Sequence, residues 1–404
     1  MTIKLNYNIF LTYLVDSKIC KKKDWEDITV EIKNSKTGHW LLNLGDASKL
    51  VVKQEPAYRI DHSNNMIFHE QHIYQLVNYY PNLVNTSSLL PEIVHFDRDN
   101  WILVYKSPSD YITLESYYEA ISSESYGKTC QGFPNSVAEL LGTSLAKLHL
   151  ETVNFHDKYK NFIKEVKDNN CLYQFPYQEY LLDRVWRESL FKLPAEGFRF
   201  FEFYQRDDNL RKTVKYLVDH HQRCCLTHNN LQLNKILIPR QWEQRLSEYS
   251  DQNLVQLIDW ERWNWGDPAC DLGTAIAGYL LLWLNSIAMH PAIKLEQSLQ
   301  LATIPLEVIR PSMVVMLQTY MQTFSKVLEE RSDFIKRVIQ FAGLALIYKI
   351  LENILSHQDF SNQGICMLQV AKSLLCQPEK SLRSIFDVTE LQLIESRLYS
   401  LQEH

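Results

Sequence analysis

The sequence predicts an α+β protein in which a small β-rich unit precedes a large α-rich one. Two observations carry that expectation. Before about residue 107, short runs alternate apolar and polar side chains with the two-residue period of strands. Beyond it, apolar residues recur at three- and four-residue spacing, the period of amphipathic helices. A cleft between two such units is where a ligand is expected.

The elements follow in order. Ile28, Val30 and Ile32 point one way and Thr29, Glu31 and Lys33 the other, which makes a half-buried strand. Residues 40–44 and 50–54 are two further strands, joined by the turn pair Gly45-Asp46. Residues 92–96 and 101–105 form another pair about the polar turn Asp97-Arg98-Asp99-Asn100. Between the third and fourth strands, Met66, Ile73, Leu76, Val77 and Tyr80 mark one helix face. The first unit is thus a mostly antiparallel sheet with one inserted helix.

In the second unit Val137, Leu140, Leu141, Leu145 and Leu148 make a helical stripe that ends in Leu148-His149. Later stripes cover 313–328, 341–355 and 367–375. Residues 151–225 are dense in aromatics, Tyr173, Phe175, Trp186 and Phe200 among them. They are either core or an insertion that covers an acceptor site or docks a partner. The chain divides into an N-terminal extension (1–25), a β-rich N-lobe (26–106) and a helical C-lobe (107–404) that carries the aromatic insertion.

The 404 residues suit two or three compact units with real cores. Apolar residues at 46% and charged residues at 22% are ordinary for a soluble globular protein. A net charge of −6 argues against nucleic acid or an anionic membrane surface as partner. The 8 cysteines include no C-x-x-C pair, so neither a zinc site nor a redox dithiol is indicated, and reduced cytoplasmic thiols are expected. The apolar run 9–15 is approached by Asn6 and Asn8, followed by Lys21-Lys22-Lys23, and shows no cleavage site, so no secretory signal is expected. The apolar segment 272–289 approaches the length of a membrane span, about 17–25 residues. It is expected to be a core helix rather than a span.

The chemistry-bearing residues concentrate in 228–273. His228-Asn229-Asn230-Leu231-Gln232-Leu233-Asn234-Lys235 leads into the apolar strand Ile236-Leu237-Ile238. A second strand, over 254–258, ends in Asp259-Trp260-Glu261, and Gly266-Asp267-Pro268-Ala269-Cys270-Asp271-Leu272-Gly273 follows. Upstream, Lys53 stands late in the apolar strand Leu50-Val51-Val52-Lys53-Gln54. A lysine there is costly unless its ammonium reaches water or a partner. Glu70 shares the apolar face of the predicted helix, so its carboxylate needs a partner too, and Lys53 is the candidate.

These motifs resemble the active-site core of the aminoglycoside phosphotransferase / choline kinase family, a branch of the kinase-like fold. The resemblance spans roughly residues 26–355 and is most specific over Asp259 to Gly273. It implies a bilobal protein-kinase-like fold, with a small β-rich N-lobe and a large α-helical C-lobe, and a site for ATP and Mg²⁺. It places Lys53 on the phosphates, Glu70 against Lys53, and Asp259 on the metal. Asp271 would brace the catalytic loop and His228 would tie the loop to it, while Asp267 looks structural. Tyr105, with Lys106, falls where a hinge would offer backbone groups to adenine.

Two positions depart from the family's pattern. Asn230 stands where the catalytic aspartate is usual, and Lys235 where a metal-ligating asparagine is usual. Asn230 cannot act as a base at neutral pH, and losing a general base typically costs about 10²–10⁴-fold. Lys235 cannot ligate Mg²⁺ while protonated, which leaves its ammonium as a cation for the phosphates. Gln232 replaces a second histidine, and residues 34–48 hold no glycine cluster.

Three functions stay open on this evidence. The chain is a nucleotide-binding pseudokinase, an active ATP-dependent small-molecule hydroxyl kinase with an atypical loop, or a non-catalytic scaffold. The second remains because a loose phosphoryl-transfer transition state depends little on a base. The expected partners are a nucleotide and either a small molecule or a protein.

Overall fold

The computed structural model describes residues 7–21, 28–33, 38–44, 48–55, 66–124, 132–153, 176, 178–182, 193–248, 254–289, 293 and 295–400. The turn pair Gly45-Asp46 and the insertion aromatics Tyr173, Phe175 and Trp186 lie outside them. The chain forms two compact units. One holds the described residues up to Thr113 together with Lys235–Trp263, and the other holds the remaining described residues.

The first unit is built on a five-stranded antiparallel sheet of β1 (Ile28–Lys33), β2 (Gly38–Leu44), β3 (Ser48–Gln54), β4 (Ile93–Asp97) and β5 (Ile102–Pro108), ordered β1-β2-β3-β5-β4. β3 is central, and its register sets Lys53 between His39 of β2 and Leu103 of β5. Side chains alternate along a strand, so the central strands present two faces. Leu42, Leu50, Val52, Ile102 and Val104 form one core with Phe10, Tyr13 and Leu14 of a helix, α1 (Tyr7–Asp16). Phe10 stacks on Trp40 at 5.3 Å between ring centroids, and the Tyr13 hydroxyl donates to Asp97 at 2.9 Å. Part of the expected N-terminal extension is therefore a packed layer of the sheet.

Leu103 and Tyr105 face the other way and pack with Ile67 of α2 (Met66–Tyr79), the inserted helix predicted from its apolar spacing. Alternation along β3 puts Lys53 on this α2 side, opposite Val52. A small sheet joins Tyr111–Thr113, Ile236–Pro239 and Gln256–Leu257. The strand expected over 254–258 pairs only at Gln256–Leu257, because Asp259 leaves the ladder with a left-handed backbone, φ 62°.

The second unit contains the predicted helices: α3 (Asn135–Thr152), α4 (Pro268–Ser286), α5 (Leu306–Thr323), α6 (Phe334–His357) and α7 (Asn362–Cys376). The stripe over 313–328 is split, since α5 ends at Thr323 and a separate turn covers Val327–Glu330. α4 starts where it does because the Asp267 side chain accepts from the Ala269 N–H at 3.1 Å and Pro268 has no N–H to satisfy. As expected of a core helix, α4 buries Leu272, Ile276, Tyr279 and Leu280. α6 is long and apolar enough to cross a membrane, but 67% of its most apolar window is buried inside the protein. Among the aromatics of the expected insertion, Phe200 and Tyr204 are buried while Phe198 and Phe203 are exposed.

Candidate functional site

The first unit concentrates charge around Lys53. Its side chain is only 2% exposed, and its ammonium bridges two carboxylates. Glu70 of α2 lies 2.9 and 2.7 Å away through its two oxygens, and Asp259 lies 2.5 Å away. The Tyr105 ring sits below the ammonium, with its centroid at 5.4 Å. The expected Lys53–Glu70 pair is thus formed, and Asp259 shares the same cation. β5 runs on to Pro108, so Tyr105 lies inside the paired strand with its ring against the Lys53 ammonium.

Asp259 is delivered by a strained but tolerated turn. Aspartate is among the few non-glycine residues that visit left-handed backbone routinely. The turn is pinned on both sides: the Trp260 indole N–H donates to the Leu257 carbonyl and the Trp263 indole N–H to the His69 carbonyl, each at 2.8 Å. His69 belongs to α2, so the same helix positions Glu70 and the Asp259 turn.

One cation shared by two carboxylates separates their titrations. Burial works to discharge Lys53, but Asp259 and then Glu70 hold its pKa well above the ordinary lysine value. Burial also works to raise Asp259, which keeps 21% of its side chain exposed. Lys53, then Lys235 and His39, overcome that and hold it below the usual carboxylate range. For Glu70, burial outweighs the pull of Lys53, and its carboxyl is pushed up to about 7. Asp259 is therefore the main counter-ion of Lys53, and Glu70 is the carboxylate that takes up a proton first.

Lys235 completes this cluster. It ends the 3₁₀ turn Leu233–Lys235, is 9% exposed, and its carbonyl accepts the Ile258 N–H at 3.0 Å. Among the described residues no carboxylate lies within 4.0 Å of its ammonium.

The second unit holds the loop that carries Asn230. Asp271, in the first turn of α4, is fully buried and accepts from the backbone N–H groups of His228 and Asn229, both at 2.8 Å. His228 therefore reaches Asp271 through its main chain. The imidazole beside that carboxylate comes from α3: His149 Nε2 lies 3.3 Å from Asp271, and Nδ1 lies 2.9 Å from the Tyr320 hydroxyl. A proton on Nε2 donates to Asp271 and leaves Nδ1 to accept from Tyr320. His149 is thus an imidazole on Asp271 in addition to the loop amides. A histidine closing an apolar stripe was the available signal for it, whereas Tyr320 carried none.

Asn229 takes left-handed backbone, φ 59°, a conformation that asparagine tolerates better than most residues. Asn230 is half-buried, and its side-chain oxygen accepts from Gln232 Nε2 at 3.4 Å. The strand segments Cys225–Thr227 and Asn264–Gly266 pair beside this loop. They approach closely because Gly266 has no side chain: a Cβ there would lie 2.1 Å from Thr227 Oγ1. Asp267 is fully buried between Arg331, at 3.2 Å through both oxygens, and Arg337, at 2.9 and 2.5 Å. That arrangement is structural, as its place in the sequence suggested.

The donor set of the first unit offers little protein ligation for a metal ion. No group of three or more His, Cys, Asp or Glu side chains able to hold a metal ion occurs among the described residues. Asp259 offers one ionised carboxylate, and a Mg²⁺ ion is commonly held by one or two carboxylates plus phosphates and water. The chemistry of the donor set thus suits one such ion.

No family model and no curated protein matches the sequence. Solved structures do match by shape. An ethanolamine kinase of Plasmodium vivax is 12% identical, with 93% of this chain and 91% of that chain covered at a TM-score of 0.53. An amicoumacin kinase in complex with AMP-PNP and Ca²⁺ is 14% identical over 91% of this chain and 96% of that one, at 0.48. A choline/ethanolamine kinase family protein from Mesorhizobium loti is 13% identical over 93% and 99%, at 0.46. The antiparallel sheet followed by a mostly helical region is the kinase-like fold of the Plasmodium ethanolamine kinase, the fold class that the sequence motifs predict.

Proposed function

We propose that the protein binds a nucleoside triphosphate through the Lys53 cluster and transfers phosphate slowly or not at all. The observation that carries this reading is the buried Lys53 ammonium held between Glu70 and Asp259. Lys53 would bind phosphate oxygens, and Glu70 would keep the ammonium in place. Asp259 would hold Mg²⁺, which when bound neutralises phosphate charge. Asn230 can orient an acceptor hydroxyl, but it cannot take the proton at neutral pH.

The test measures binding and turnover separately. ATP should raise the melting temperature of the full chain, since a ligand at 100 times its Kd stabilises by about 2.7 kcal/mol. Turnover with a panel of hydroxyl compounds should stay below the roughly 1–100 s⁻¹ of ordinary kinases. Asn230→Asp should raise it by about 10²–10⁴-fold. An unshifted melt at saturating ATP, or ordinary turnover by the wild type, sinks the proposal.

A second reading, an active kinase for a cationic hydroxyl compound, is favoured by one observation. A cavity of about 240 Å³ opens beside Gln232 and Leu233, lined also by Glu115, Glu119 and Lys349. Burial and then the neighbouring Glu119 push the Glu115 carboxyl above its usual range against the pull of Lys349, and an acceptor's cation would favour its ionised form. In this reading Asn230 only orients the hydroxyl. Glu115→Gln should then raise the KM for a cationic acceptor with little change in kcat. Equal kinetics for the variant and the wild type argue against it.

A further inference from the structure

Lys235 makes no ion pair among the described residues. Its side chain is nine-tenths buried, at 9% exposure, and no carboxylate stands within 4.0 Å of its ammonium among the described residues. Lys53 already bridges the carboxylates of Glu70 and Asp259. The position of Lys235 is nonetheless fixed. Its 3₁₀ turn and the 3.0 Å bond from the Ile258 N–H to its carbonyl hold it beside the residue that precedes Asp259. A largely buried lysine with no carboxylate in contact is a ready donor for an anion. What would balance it is an anion from outside the chain, arriving next to Asp259. The same ammonium repels a divalent cation from its own position.

We infer that Lys235 is a built-in replacement for a second divalent cation, so that a nucleoside triphosphate binds beside Asp259 with at most one metal ion. This rests on the nucleotide-binding reading above. It goes beyond that reading in fixing the metal stoichiometry and in giving Lys235 direct contact with phosphate. Lysine suits the role as a compact, mobile point charge with three donors.

The experiment titrates AMP-PNP into the full-length protein by calorimetry, with EDTA and with saturating Mg²⁺. It also counts bound Mn²⁺ per nucleotide by electron paramagnetic resonance. The wild type should bind AMP-PNP in EDTA and take up one Mn²⁺ per nucleotide or fewer. Lys235→Asn should lose about 10- to 100-fold in affinity in EDTA, the fold-change of one charge-assisted hydrogen bond. It should recover in Mg²⁺ and take up an additional Mn²⁺. Lys235→Arg, which keeps the charge, should retain binding in EDTA. Two Mn²⁺ per nucleotide on the wild type, or wild-type binding abolished by EDTA, overturns the inference and leaves nucleotide binding standing. The Mn²⁺ count on the wild type needs no variant, so it decides the matter even if Lys235→Asn does not fold. No AMP-PNP binding under any condition overturns the nucleotide-binding reading itself.

Discussion

Glu70 shows how a single buried carboxylate makes stability depend on pH. It titrates near 7 in the folded chain against an ordinary value of 4.5, because burial outweighs the attraction of Lys53. Between those values the folded state keeps a proton that the unfolded state has lost, so stability falls as pH rises through the window. The penalty is absent below 4.5 and complete above 7. Glu70→Gln removes it. The stability of wild type relative to this variant should therefore drop by on the order of 1–3 kcal/mol from the acidic to the neutral end, as measured by urea unfolding at several pH values. A flat difference would show that Glu70 stays ionised throughout. Asp259 works with the opposite sign. Its pKa is depressed, chiefly by Lys53, so its contribution is present above 3.8 and is lost as the pH falls below that. The Lys53–Glu70 pair was legible in the sequence because two charges on apolar faces must find partners. The bridge to Asp259 was not, because periodicity says which face a residue occupies and nothing about which distant turn reaches it. Likewise, the sequence placed Asp271 under the loop but did not bring His149, far away in the chain, to that carboxylate.

At the scale of elements, two contacts test the packing. α1 supplies Phe10, fully buried and stacked on Trp40, to one face of the sheet. Phe10→Ala should cost about 3–5 kcal/mol. The loss should appear as faster amide exchange across β1–β3. Unchanged exchange there would mean that the sheet does not depend on α1. The second contact is between α4 and α6 at Gly273, where a Cβ would lie 2.6 Å from Phe341 Cβ and 2.7 Å from the Val338 carbonyl oxygen. In an exposed helix Gly→Ala gains up to about 1 kcal/mol. Here the backbone of α6 would have to move, so Gly273→Ala should destabilise by about 1–3 kcal/mol in urea unfolding. Strands and long helices were legible because their apolar periods persist over many residues. The role of α1 was not, because its apolar run is short and its partners Trp40, Leu42 and Val52 come later in the chain. The strand over 254–258 was overestimated for a related reason. Its apolar composition suits a strand, but the left-handed turn at Asp259 ends the ladder early.

At the scale of the whole molecule, the buried ion pairs lie within single units. Lys53, Glu70 and Asp259 belong to the first unit; Asp271, His149 and Tyr320, and Asp267 with its arginines, belong to the second. Nucleotide binding and the order of the Asn230 loop should therefore be separable by mutation. Lys53→Met leaves the carboxylates of Glu70 and Asp259 without their cation. It should abolish the thermal shift with ATP while the amides of His228 and Asn229 stay protected from exchange. Asp271→Asn replaces the carboxylate that accepts both of those amides by a group with a single acceptor oxygen. A buried donor left unsatisfied costs about 1–3 kcal/mol. This variant should expose the loop amides to exchange yet keep the ATP shift. In the double variant the two stability losses should add to within about 0.5 kcal/mol, as for independent sites. Coupling well above that, in a urea-unfolding cycle of the four proteins, would mean that the two clusters act as one, and the loop around Asn230 would then have to be treated as part of the nucleotide site.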